Sequence, residues 1–266
     1  MKIGFIGAGN MGGALARAAA KAVAPSNIFL SDQLAEKASA LAAELGCNAC
    51  TTEQAALCCD YIFLGVKPQV MGAMLTQIAP VLASRKDSFV LVSMAAGMCM
   101  ADIRRMAGGD YPLIRIMPNI PVSVGGGMIL YDITDNVSQE AEEGFCKAMA
   151  HAGLLDKLPE KLIDAGSALS GCGPAFVCLF AEALADGAVA CGLTRQQATT
   201  YAAQTLKGTA EMLLQTGIHP GALKDAVCSP GGSTIAGVGA LEQGGLRAAA
   251  MDAVACAYTR TKELGK

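Results

Sequence analysis

Short β-branched runs alternate strictly with Ala-rich helical stretches through the first half of the chain. A glycine-rich turn joins the first such run to the first helix, and the second half carries no strand pattern. These three observations predict an α/β protein: an N-terminal Rossmann-type doubly wound parallel sheet, then a C-terminal all-α dimerisation domain. The 266 residues suffice for two modest domains, expected at 1–155 and 156–266.

Strands are predicted at Lys2–Ile6, Asn27–Ser31, Tyr61–Val66, Phe89–Ser93 and Leu113–Met117, each bounded by Gly, Pro, Asn or Asp. Between them lie helical patterns over Met11–Ala24, Gln33–Leu45, Thr52–Cys58, Met71–Leu82 and Met100–Met106. Strict alternation implies right-handed crossovers and a parallel sheet covered on both faces. Val124–Leu130 is expected to add a strand at an edge. After about Leu158 only helices are expected. Ala175–Cys191 is one, stopped by Gly192. The capping-box pattern Thr194-Arg195-Gln196-Gln197 opens the next, which Gly217 ends. Gly221–Val227 and Thr234–Leu241 are shorter, and Leu246–Leu264 closes the pattern. Side chains this small build a poor core, so close packing against a second copy is expected.

Composition narrows the function. Twenty Lys and Arg stand against 23 Asp and Glu, a net charge of -3, with no basic block to serve a nucleic acid. Only 16% of residues are charged, 53% are hydrophobic and mean hydropathy is +0.41, which points to apolar surface hidden in an oligomer. A membrane is the rival cover. The longest uncharged stretches are Ser88–Ala101 and Ala165–Ala181; the second holds Ser167, Ser170, Gly171, Gly173 and Pro174, which suit lipid badly. The start of the chain, Lys2 to Ala16, imitates a secretion signal, but its glycines and Asn10 are wrong for an apolar segment, so a cytoplasmic protein is expected. Eleven cysteines show no framework spacing. Cys47, Cys50, Cys58 and Cys59 cluster, but the adjacent pair fits one tetrahedral metal badly, and no metal site is expected.

Gly7-Ala8-Gly9-Asn10-Met11-Gly12 carries the first chemistry. Following strand residue Ile6 and opening a helix, it has the order that binds a dinucleotide. Gly7 permits the tight turn, Gly9 lets backbone approach a pyrophosphate, and Gly12 allows close helix–strand packing. The adenosine ribose is expected at Ser31 and Asp32. Asp32 lies twenty residues after Gly12, where a carboxylate accepts from a ribose diol and repels a 2′-phosphate; it equally suits a cap for the helix at Gln33, leaving Ser31 at the ribose. NADP and NAD therefore both remain open. Later strand ends should line the same crevice: Val66, Lys67 and Pro68; Met94, Ala95 and Ala96; and Asn119, for which a turn role before Pro121 is as good.

Two segments interrupt the helical half. Ser170-Gly171-Cys172-Gly173-Pro174 leads into a helix. Ser229-Pro230-Gly231-Gly232-Ser233-Thr234 does so too, with bare N–H groups and hydroxyls suited to a small carboxylate; an ordinary capped loop is the plain alternative. Together with Val66-Lys67-Pro68-Gln69 and Ser93–Gly97, these segments resemble the pyrroline-5-carboxylate reductase family over essentially the whole chain. The specific signature is Asp225-Ala226-Val227-Cys228-Ser229-Pro230-Gly231-Gly232-Ser233-Thr234, and Cys172 departs from a usual Ser.

The resemblance implies hydride transfer from NAD(P)H to the C=N carbon of 1-pyrroline-5-carboxylate, giving L-proline. It implies Thr234 at the ring nitrogen and Ser229, Gly231, Gly232 and Ser233 at the carboxylate, with a homodimer, or a higher oligomer of dimers, completing the site. An iminium accepts hydride readily, so positioning matters more than a strong acid. Consistent with that, His151 and His219 sit outside every motif, and Glu182 and Asp186 read as helix polar positions. Two rivals remain. A 3-hydroxyacid dehydrogenase or related imine reductase would want a Lys that Ala175–Cys191 lacks, and a dinucleotide-sensing module would have no use for the 229–234 segment.

Overall fold

The structure, a computed structural model, describes residues 1–264. It falls into two compact units, one of Met1–Cys172 with residues 258–264, the other of Gly173–Ala257.

The first unit is built on β1 (Ile3–Ile6), paired in parallel with β2 (Ile28–Ser31) on one side and β4 (Tyr61–Leu64) on the other. β5 (Val90–Ser93) and β6 (Leu113–Pro118) extend the sheet beyond β4, and a two-residue β3 (Asn48–Ala49) extends it beyond β2. The order thus far is β3-β2-β1-β4-β5-β6, and two later strands follow β6. Strand side chains alternate between two cores. Ile3, Phe5 and Phe63 face α1 (Asn10–Ala19) and α6 (Gln139–Met149), where Phe5 and Phe63 stack at 4.5 Å and Phe145 closes the cluster. Ile6, Ile62 and Leu64 face α3 (Thr52–Cys58), α4 (Pro68–Ser84) and α5 (Met100–Ala107), against Met71, Leu75 and Ile78. Each such fully buried side chain contributes about 1.5–3 kcal/mol. The glycine that ends α2 (Ala35–Leu45), Gly46, takes the left-handed turn that such helix ends favour.

Three expectations change. The strand expected at Val124–Leu130 is β7 (Gly127–Ile133), since Ile120–Val124 coils into a 3-10 turn ended by Gly125. It runs antiparallel to β6, so the sheet is not wholly parallel. Nor is it the edge: β8 (Gly153–Lys157) pairs beyond it. The compact sheet unit itself runs on to Cys172, because α7 (Glu160–Ser170) packs on it. Ile163 and Ala168 of α7 are buried, and buried Arg115 of β6 pairs with Glu160 at 3.1 Å and Asp164 at 3.2 Å.

The second unit holds α8 (Gly173–Ala190), α9 (Arg195–Thr216), α10 (Pro220–Ala226), α11 (Ser233–Gln243) and most of α12 (Leu246–Leu264). The capping box at Thr194 and Gln197 forms, and Gly217 ends α9 with φ +64°. Among the described residues of this unit, only Ala185, Ala198 and Ala202 make a buried apolar cluster. Larger apolar side chains face outward, Leu214 at 77% and Met251 at 73% exposure. The run Glu160–Ala190 is long and apolar enough to cross a membrane by length and composition, a test that helices covered by protein also pass.

Candidate active site

The carboxyl ends of β1, β2 and β4 are knitted together by backbone. Gly7 N–H donates to the Ser31 carbonyl at 2.8 Å, and Gly65 N–H donates to that of Ile6 at 2.7 Å. Gly7 has φ +106°, and a Cβ there would sit 2.6 Å from the Gly65 backbone. A Cβ on Gly12 would lie 2.0 Å from the Gly7 carbonyl oxygen, which is why helix α1 can start so close to β1. Gly9 differs: it caps α1 with no side-chain bond, and a Cβ there meets nothing within 4 Å. Open space above exposed Gly9 and Asn10, at a helix start with unpaired N–H groups, is what a diphosphate requires.

Beside this turn a cleft of about 520 Å³ runs between β2 and α4. It gathers Ile6, Gly7, Asp32 and Val66 from the residues expected to hold cofactor, and adds Gln33, Thr52, Glu53 and Gln77. Asp32 is held by backbone on both sides. One carboxylate oxygen accepts from Ala8 N–H at 2.8 Å, bracing the glycine turn, and the other from Leu34 N–H at 3.0 Å, turning the chain toward α2. Ser31 departs from expectation. It is 1% exposed with its hydroxyl 3.3 Å from that of Thr52, so it forms the floor of the sheet edge and presents no group to a ribose. Thr51 and Thr52 escaped the sequence reading because β3, which brings them beside β2, is only two residues long.

Farther along the same edge, Lys67 is exposed at the start of α4, with Pro68 as its first residue. Met94 is half-buried beside Gly65, and Ala96 is exposed. Ala95 is buried in the core, leaving only its backbone for a ligand. Asn119 is committed: it donates to the Ser170 carbonyl at 2.9 Å and accepts from Met128 N–H at 2.9 Å, a strap between β6, β7 and α7. The loop expected at Ser170–Pro174 shrinks to a turn at Gly171–Cys172, with Pro174 in the first turn of α8. A larger cavity, about 560 Å³, opens by Met1, Asp60 and Tyr61 at the amino ends of the strands, the end of such sheets that does not bind ligand.

In the helical unit, Ser229–Gly232 is a tight bend closed by Gly232 N–H donating to the Ser229 carbonyl at 3.0 Å. Pro230 and Gly231, with φ +70°, supply the two central conformations. Gly232 then caps α11 without a side-chain bond, so Ser233 and Thr234 stand exposed in its first turn. The uncapped helix start and two exposed hydroxyls lie together there, an arrangement able to take a carboxylate.

A family model described as pyrroline-5-carboxylate reductase dimerisation matches residues 160–264, and one described as NADP oxidoreductase coenzyme F420-dependent matches residues 2–97. The pyrroline-5-carboxylate reductase of Methanosarcina acetivorans is 41% identical over 269 aligned positions, covering 100% of this chain and 98% of its own. The chain belongs to the pyrroline-5-carboxylate reductase family. Solved members agree in fold. The Coxiella burnetii reductase superposes with a TM-score of 0.92 at 31% identity, covering 100% of this chain and 98% of that one. The Plasmodium falciparum enzyme, solved with NADP bound, gives 0.85 at 33% identity with the same coverage.

Two further polar residues of this reductase-family chain take structural places. His219 caps α10, its Nδ1 accepting from Gly221 N–H at 3.1 Å, and Asp186 pairs with Arg195 at 2.6 Å. The Cys58 and Cys59 sulfurs lie 3.7 Å apart, and burial pushes the Cys50 thiol up to about 11 and that of Cys59 further.

Proposed function

We propose that this protein is a pyrroline-5-carboxylate reductase, forming L-proline from 1-pyrroline-5-carboxylate in the last step of proline synthesis. Family membership across the whole chain carries this reading. The reduced nicotinamide, NADPH or NADH, supplies the hydride to the C=N carbon, while a proton reaches the nitrogen. The residues fit that cofactor: open Gly9 and the α1 start take the diphosphate, Gly7, Asp32 and Val66 the adenosine side, and Lys67, Pro68, Met94 and the backbone of Ala95 and Ala96 the nicotinamide side.

The Ser229–Thr234 bend holds the substrate. N–H groups of Gly231, Gly232 and Ser233, with the Ser229 and Ser233 hydroxyls, neutralise its carboxylate. The Thr234 hydroxyl accepts a hydrogen bond from the ring N–H⁺ and so holds the iminium, the form that accepts hydride. No strong acid is needed, which suits a chain with two histidines, one of them a helix cap. The exposed apolar side chains of the helical unit support a homo-oligomer, at least a dimer, in which a second copy brings this bend to the nicotinamide. The functional division at 155/156 and a cytoplasmic location belong to the same reading.

The test is incubation of the purified protein with each reduced nicotinamide and 1-pyrroline-5-carboxylate, following cofactor oxidation and L-proline together. Equimolar conversion supports the reading. Silence there with oxidation of a hydroxyacid would transfer the protein to the dehydrogenase rival.

A further inference from the structure

The adenosine end of the cleft leaves one property of this enzyme undecided by its family: whether the ribose 2′ position carries a phosphate. Resting on the reading of this cleft as the dinucleotide site, we infer that Asp32 makes the protein selective for NADH over NADPH. Three observations converge. First, the Asp32 carboxylate is fixed at the carboxyl end of β2 by Ala8 N–H on one oxygen and Leu34 N–H on the other. A carboxylate offers about four acceptor positions. Two stay available, and the two hydroxyls of an unphosphorylated ribose are donors that match them.

Second, the facing wall carries another carboxylate, Glu53, held by Gln77 Nε2 at 2.6 Å. A 2′-phosphate brings close to two further negative charges and no donor to this space. Third, among the described residues lining the cleft there is neither Lys nor Arg, the groups that ordinarily receive that phosphate. The arginine of α1, Arg17, is engaged in a two-bond pair with Glu44, both contacts at 2.7 Å. Charge and donor pattern therefore point the same way.

The experiment measures Kd for NADH and NADPH by nicotinamide fluorescence on the intact oligomer, together with kcat/KM for both cofactors. Asp32→Ser and Asp32→Asn are compared with the wild type. The expected wild-type preference for NADH is about tenfold or more in Kd, and each variant narrows it, chiefly by gaining NADPH affinity. Asp32→Asn keeps one acceptor oxygen for Ala8 N–H and gives up only the Leu34 contact, so a folding defect in Asp32→Ser does not blur the result. Equal or tighter NADPH binding by the wild type would overturn the inference, as would a ratio that both variants leave unchanged. Tight NADH binding without reduction of pyrroline-5-carboxylate would instead overturn the proposed reaction and leave the selectivity standing.

Discussion

Three glycines in one turn have separable duties. Gly12→Ala drives a methyl against the Gly7 carbonyl and is expected to cost about 1–3 kcal/mol of stability along with cofactor affinity. Gly9→Ala meets nothing in the protein, so thermal unfolding should barely move while dinucleotide Kd rises, because the methyl occupies the space meant for the diphosphate. Calorimetry and fluorescence titration on the two variants distinguish the duties; a Gly9→Ala protein that binds normally would remove the diphosphate from that turn. Thr234→Ala is expected to lower kcat/KM about ten- to hundredfold, the worth of a hydrogen bond to a charged partner, without changing cofactor Kd. At this scale the sequence was informative where backbone chemistry decides, as in the glycine turn and the Pro-Gly-Gly bend. It was uninformative about Ser31, whose burial depends on Thr52 arriving from a strand too short to leave a pattern.

Elements fix how these residues are held. Glu160, opening α7, pairs with buried Arg115 and also accepts from Met100 N–H at 2.7 Å, while its own N–H donates to Asp132 at 2.5 Å. One residue thus ties α7, β6, β7 and the start of α5, the helix that follows Ala95 and Ala96. Glu160→Ala leaves Arg115 with Asp164 alone in the interior and is expected to cost about 3 kcal/mol in urea unfolding. Lys157→Ala, which breaks a largely solvated pair with Glu142, should cost under ~1 kcal/mol. Some helices were legible to their ends: Thr52–Cys58 and Leu246–Leu264 match their expected limits. α6 and β8 were not, since Gln139–Met149 reads as polar surface and Gly153–Lys157 mixes two leucines with charges. Missing them left β7 looking like an edge.

For the whole molecule, apolar composition beyond what one chain buries is the dominant fact. The sheet unit has two full cores, whereas the helical unit buries a cluster of three alanines and leaves Leu179, Leu214 and Met251 in the open. Sedimentation should therefore show an oligomer at micromolar concentration, and Leu179→Asp should shift it toward monomer and reduce activity with it. A monomeric, fully active wild type would refute the subunit-completed site. The most direct test of the account follows the hydride itself. With the reduced nicotinamide dideuterated at C4 and 1-pyrroline-5-carboxylate as acceptor, one deuterium is expected at C5 of the L-proline formed. Proline without the label, or no proline with either cofactor, would contradict it.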